Sequence, residues 1–143
     1  MENTLTQPTK VYYTAKTHTV GGREHGVSRS SDGNLDIRLN TPGTGGAGTN
    51  PEQLFAAGWS ACFEGALGIA ASKQRIDLPA ETAIDAEVDL AVNQGGFILQ
   101  ARLNVSLPGL DREVATALVE AASGICPYSK AVKGNIAVEY NVI

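Results

Sequence analysis

The chain is sparing with the residues that usually announce a function. It has only two cysteines, two histidines, one tryptophan and one methionine. Two cysteines and two histidines could supply four zinc ligands, but no C-x-x-C or H-x3-H spacing is present, so no metal is expected. Charge of one sign is equally scarce: 11 Lys and Arg stand against 15 Asp and Glu, a net −4, with no one-sided run. A nucleic-acid partner would need a basic stripe, and none is expected. The N-terminal MENTLTQPTK lacks the apolar core of a signal peptide, and no apolar run approaches the ~20 residues that span a bilayer. A cytoplasmic protein with no membrane partner is therefore expected. In that compartment thiols are kept reduced, and a disulfide is usually transient or catalytic.

What is present is enough apolar material for a core. With 43% hydrophobic residues in 143, burial can balance chain entropy without a covalent staple. There is no internal repeat and no dividing linker, so residues 1–143 are read as one domain; the nearest thing to a linker is TPGTGGAGTN at 41–50.

Periodicity sets the order of elements. KVYYTAKTHTV (10–20) and the segment after Gly21-Gly22 read as two strands about a turn, and NLDIRL (34–39) alternates like a third. Asn50, Pro51 and Glu52 suit an N-cap, a first helical position and a first-turn acid. The helix they open is apolar around most of its circumference, which predicts burial, and the segment ends at Pro79. ETAIDAEVDLAV (81–92) and FILQARLNVSL (97–107) alternate across Asn93-Gln94-Gly95-Gly96 as a hairpin. Asp111 opens a second helix that closes at Gly124, and NIAVEYNVI is a last strand. The order β-β-β-α-β-β-α-β, with few parallel crossovers, is α+β. One small sheet covers such a helix poorly, which favours a second copy of the chain as part of the cover.

The two cysteines sit in distinctive surroundings: Cys62 in GTNPEQLFAAGWSACFEGAL (48–67) and Cys126 in GICPYSKAV (124–132). The plain alternative is two unrelated buried thiols acting as small hydrophobes. A reactive thiol works as thiolate, and at an ordinary pKa only about 3% is ionised near pH 7, so a cation is wanted nearby. Lys16, His18, Arg23, His25, Arg29 and Arg38 are the candidates in the first part of the chain. Arg23, after the Gly21-Gly22 turn, is the best placed to project into a site. Glu52 is its natural partner, because a guanidinium fork in an apolar cleft needs a carboxylate to hold it.

GTNPEQLFAAG, the following SACF and the later CPYSKAV resemble the organic hydroperoxide resistance proteins of the osmotically inducible protein C superfamily, and the likeness runs from about Val11 to Ile143. Trp59 stands where that family more often has Tyr, and Glu64 where a small or apolar residue is usual. The resemblance implies antiparallel sheets wrapped around a long buried central helix, in an intertwined homodimer with two active sites at the subunit interface. It implies Cys62 as peroxidatic cysteine, Cys126 as resolving cysteine, and Arg23 and Glu52 as the charged pair. It implies no bound cofactor, an organic hydroperoxide as substrate, and a dihydrolipoyl group, often protein-borne, as reductant. Leu54, Phe55, Trp59 and Phe63, close to Cys62 in sequence, are the candidates for an apolar substrate entrance. The alternatives are a peroxidase of the same superfamily with a broader substrate range, or a non-catalytic thiol/disulfide binding protein.

Such chemistry makes geometric demands. The sulfurs must meet, so Cys62 is expected within disulfide reach of Cys126 and largely buried. Glu52 and Cys62 are ten residues apart, or ~15 Å along a straight helix. A helix break at Ala56-Ala57-Gly58 is the expected remedy, with assembly across a dimer the other.

Overall fold

The structure, a computed structural model, describes residues 7–143; the first six residues of the polar N-terminal segment lie outside it. The chain divides into two compact units at the Asn50–Pro51 junction, where the sequence reads as one domain.

The first unit is a three-stranded antiparallel sheet, β1 (Thr17–Val20), β2 (Val27–Ser30) and β3 (Asp36–Arg38), in that order. The strand expected over 10–20 forms only in its last four residues. The turn expected after Val20 is instead a short helix, α1 (Gly22–His25). It is entered through Gly21 and Gly22, whose φ angles of 85° and 72° favour glycine.

The second unit carries the core. Helix α2 (Pro51–Lys73) runs 23 residues without interruption, so the break expected at Ala56-Ala57-Gly58 does not occur. It ends six residues before Pro79 in a Schellman turn: Arg75 takes a positive φ of 56°, Ile76 N–H bonds to Ala71 C=O at 2.9 Å, and Arg75 N–H to Ser72 C=O at 3.2 Å. By length and composition α2 reaches the size of a membrane span, which no single apolar run in the sequence suggested. Its Trp59, Phe63, Ala66, Leu67, Ala70 and Ala71 nevertheless form one buried stripe. That stripe packs on β4 (Ala83–Asn93) and on α3 (Arg112–Ile125). The opposite face, with Ala57, Ala61, Gly65 and Ile69, is exposed in the single chain.

β4 pairs antiparallel with β5 (Gly96–Ser106) from Ala83↔Ser106 to Asn93↔Gly96, as the hairpin pattern requires. Ala101, Leu103 and Val105 point into the core, while Arg102 on the other face engages Glu87 and Asp89. The last strand, β6 (Ala137–Val142), lies parallel to β5, so the sheet is mixed. The crossover runs through α3 and a six-residue helix not anticipated from sequence, α4 (Pro127–Val132). Parallel neighbours need a long return, and these two helices supply it.

Candidate active site

Cys126 stands at the corner between two helices, as C-cap of α3 and N-cap of α4. Its N–H bonds to Ala122 C=O at 2.9 Å, and its C=O accepts from Lys130 N–H at 3.0 Å, so the backbone is pinned from both sides. Pro127, with φ preset for a first helical position, makes the corner abrupt. The thiol is fully buried and points at α2, where Cys62 waits on the edge of the buried stripe.

The two sulfurs are 3.5 Å apart and both cysteines are free thiols. That is S–H···S distance, roughly 1.5 Å longer than a disulfide bond of ~2.05 Å, so a small shift closes it. Cys62, expected to be largely buried, is only partly so; Cys126 is the thiol sealed from solvent. Burial pushes the Cys62 thiol up from its ordinary range, and its hydrogen bond with Cys126 adds to the rise, with thiolate repulsion a lesser part. The Tyr128 backbone N–H acts in the other direction.

The aromatic residues divide. Trp59 and Phe63, expected at a substrate entrance, have no exposed surface and belong to the core. Trp59 Nε1 donates to Ser129 Oγ at 3.0 Å, and Phe63 stacks on Tyr140 at 5.4 Å between centroids. Their stripe faces β4 and α3, away from solvent. Leu54 and Phe55 remain partly exposed. Phe55 sets its edge on Trp59 and on Tyr128, at 5.5 and 6.2 Å. Tyr128, 41% exposed, lies over Gly58: a Cβ there would come within 3.0 Å of the Tyr128 hydroxyl. A larger residue at 58 would require the Tyr128 ring to give by a few tenths of an ångström.

Arg23 lies on α1 in the first unit, and Glu52 is the second residue of α2. Each takes part in an interaction with a neighbouring group. Because α2 is unbroken, ten residues of helix separate Glu52 from Cys62. Glu64, a departure from the family pattern, is exposed and absent from the influences on Cys62. Among the described residues no group of three or more His, Cys, Asp or Glu side chains forms a metal site. A cleft of about 630 Å³ between α3, α4 and β6 reaches Ser129 and Tyr140 but neither cysteine.

Tyr128, Ser129 and Tyr140 were missed as site residues from sequence. Tyr128 and Ser129 belong to the distinctive CPYS string, but their directions depend on α4. Tyr140 comes from a strand whose pattern signals only a sheet.

A buried thiol thus lies 3.5 Å from a partly exposed one, held at a helix corner against an apolar central helix. The OsmC-like protein family profile matches residues 43–141, and the chain belongs to that family. It is similar to the organic hydroperoxide resistance protein of Xanthomonas axonopodis pv. citri (strain 306), 46% identical over 138 residues, covering 94% of this chain and 96% of the relative. The structure of OhrB of Bacillus subtilis matches with a TM-score of 0.87 and 43% identity, over 93% of this chain and 100% of that one. A candidate organic hydroperoxide resistance protein of Vibrio cholerae O1 biovar eltor, solved with captopril in one of the active sites, matches with a TM-score of 0.87 and 36% identity, over 95% of each chain. At these identities the α+β fold of the family is shared along nearly the whole length.

Proposed function

We propose that the protein is a two-cysteine peroxidase that reduces organic hydroperoxides to alcohols. The observation that carries this reading is the sulfur pair, one thiol reachable and the other sealed, 3.5 Å apart. The Cys62 thiolate attacks the distal peroxide oxygen; the O–O bond breaks, the alcohol leaves with a proton, and Cys62 becomes a sulfenic acid. The Cys126 sulfur then displaces that oxygen as water and forms the disulfide. A dithiol donor returns two electrons. The relatives' names support the substrate class, and captopril, a thiol, in a relative's active site supports a small thiol-bearing reductant. A dihydrolipoyl group, free or protein-borne, fits that role: its two thiols can displace the disulfide in sequence and close on themselves.

Arg23 orients the peroxide and stabilises charge developing on the leaving oxygen, with Glu52 fixing the guanidinium plane. The unbroken α2 favours delivery of this pair to Cys62 by a second copy, since ~15 Å of helix exceeds the reach of a glutamate. A homodimer also gives the exposed Ala57, Ala61, Gly65, Ile69 face of α2 a cover. Leu54, Phe55 and the Tyr128 ring form the apolar approach. A bulky alkyl group gains ~25 cal/mol per Å² buried there, and hydrogen peroxide gains almost nothing.

A steady-state assay tests the reading. With dihydrolipoamide as reductant, cumene hydroperoxide should be consumed at least about tenfold more efficiently than hydrogen peroxide, and Cys62→Ser should abolish turnover because a hydroxyl without a strong base is a poor nucleophile. Equal use of the two peroxides would remove the apolar-approach argument. Turnover in Cys62→Ser would remove the mechanism.

A further inference from the structure

The geometry points to Ser129 as the positioning residue that holds the resolving thiol on its partner. This rests on the two-cysteine reading above. Ser129 lies three residues after Cys126 on α4, and Trp59 three residues before Cys62 on α2. Each pair spans about one helical turn, so the contacts form two rungs between the same two elements. One rung is Cys62 to Cys126 at 3.5 Å; the other is Trp59 Nε1–H to Ser129 Oγ at 3.0 Å. Tyr140 Oη donates to the same Ser129 oxygen at 3.0 Å, tying the rung to β6.

The chemistry of that node is strict. A serine oxygen offers two lone pairs, and here both are taken, by Trp59 and Tyr140. Indole N–H is a donor only, and Trp59 is wholly buried, so Ser129 is the protein partner its N–H depends on. Ser129 itself is 3% exposed. Were the node lost, the start of α4 would have to turn to free the orphaned donor. That turn would carry off both things α4 presents to Cys62: the Cys126 thiol and the Tyr128 N–H. Ser129 thus acts on the sulfurs through backbone placement, touching neither.

The test uses diamide, which takes two electrons and two protons from a dithiol whatever the native substrate. The full chain is compared as wild type, Ser129→Ala, Ser129→Thr and Tyr140→Phe. Closure of the Cys62–Cys126 disulfide is followed by mass and by loss of titratable thiol, and the Cys62 thiolate is titrated by its ultraviolet absorbance. Ser129→Ala should close about five- to tenfold more slowly, the scale of one net hydrogen bond. The Cys62 titration should also move downward, because the departing Cys126, which raises it, outweighs the departing Tyr128 N–H, which lowers it. Ser129→Thr, which keeps the hydroxyl, should restore both. Tyr140→Phe, which keeps the ring on Phe63 and drops one bond, should fall between. A folded Ser129→Ala with wild-type closure and an unmoved titration overturns the assignment. If Ser129→Ala does not fold, wild-type closure in Tyr140→Phe overturns it. Rapid closure of the wild type by diamide, slowed in Ser129→Ala, with no reaction toward alkyl hydroperoxide, would uphold Ser129 and sink only the peroxidase reading.

Discussion

At Cys62, burial and the neighbouring thiol hold the proton on while a single backbone N–H works to release it. Lowering the pKa from about 8.5 to about 6 would raise the thiolate fraction at pH 7 roughly 30-fold. With a Brønsted coefficient near 0.45, nucleophilicity would fall by about 13-fold, leaving a net gain of only about twofold. Thiolate supply is therefore a weak lever, and the proposed work of Arg23 is to place the peroxide and receive its developing charge. Lysine keeps the charge but has no planar fork to grip Glu52 and present a second donor together. Arg23→Lys should accordingly lose at least about tenfold in second-order rate with tert-butyl hydroperoxide, equivalent to ~1.4 kcal/mol. A variant that keeps the wild-type Cys62 titration yet loses rate fits the placement role; a near-normal rate contradicts it.

Among the elements, the β4–β5 hairpin shows most plainly how alternation assigns faces. Arg102 grips Asp89 with both terminal nitrogens at 2.9 Å and reaches Glu87 with Nε at 2.6 Å, while Gln100 adds a bond to Asp89 at 2.7 Å. The Arg102 contacts, with help from Gln100, hold the Asp89 carboxyl down at about 2. A carboxylate depressed in the folded state adds stability above its unfolded pKa and loses it as pH falls through the folded one. Thermal midpoints followed between about pH 4 and 2 should therefore drop less in Asp89→Asn than in the wild type; parallel curves would show that the cluster adds nothing to the acid limb. This hairpin, the N-terminus of α2 and the start of α3 were legible in the sequence, because alternation, Asn50-Pro51-Glu52 and Asp111 are local signals. The end of α2 was not: Arg75 adopts a left-handed conformation that Gly or Asn would have announced. Nor was α4, too short for a period to emerge, or the parallel placement of β6, which depends on where two helices deliver the chain. The two cysteines were legible as a pair from their strings. The node around Ser129 was not, since it joins residues 70 positions apart.

For the whole molecule, large apolar groups are left on the surface of the single chain. Val92 is 68% exposed and Phe97 79%, and the small-residue face of α2 is open as well. The proposed homodimer would bury such surface and bring the charged pair of one copy to the thiols of the other. Mixing Cys62→Ser chains with Glu52→Gln chains tests that arrangement, because a hybrid assembled across the interface regains one intact site, whereas a site built within one chain regains none. Recovery of peroxide turnover on mixing is expected, and its absence would return Glu52 to its own chain. The most direct measurement is a single turnover of fully reduced protein with one equivalent of an alkyl hydroperoxide, read by stopped flow and by mass. The account predicts one alcohol and one Cys62–Cys126 disulfide per chain, and in Cys126→Ser an equally fast first step that runs on to Cys62 sulfinic acid in excess oxidant. A first step lost equally in Cys62→Ser and Cys126→Ser, or peroxide consumed without the disulfide, would contradict it.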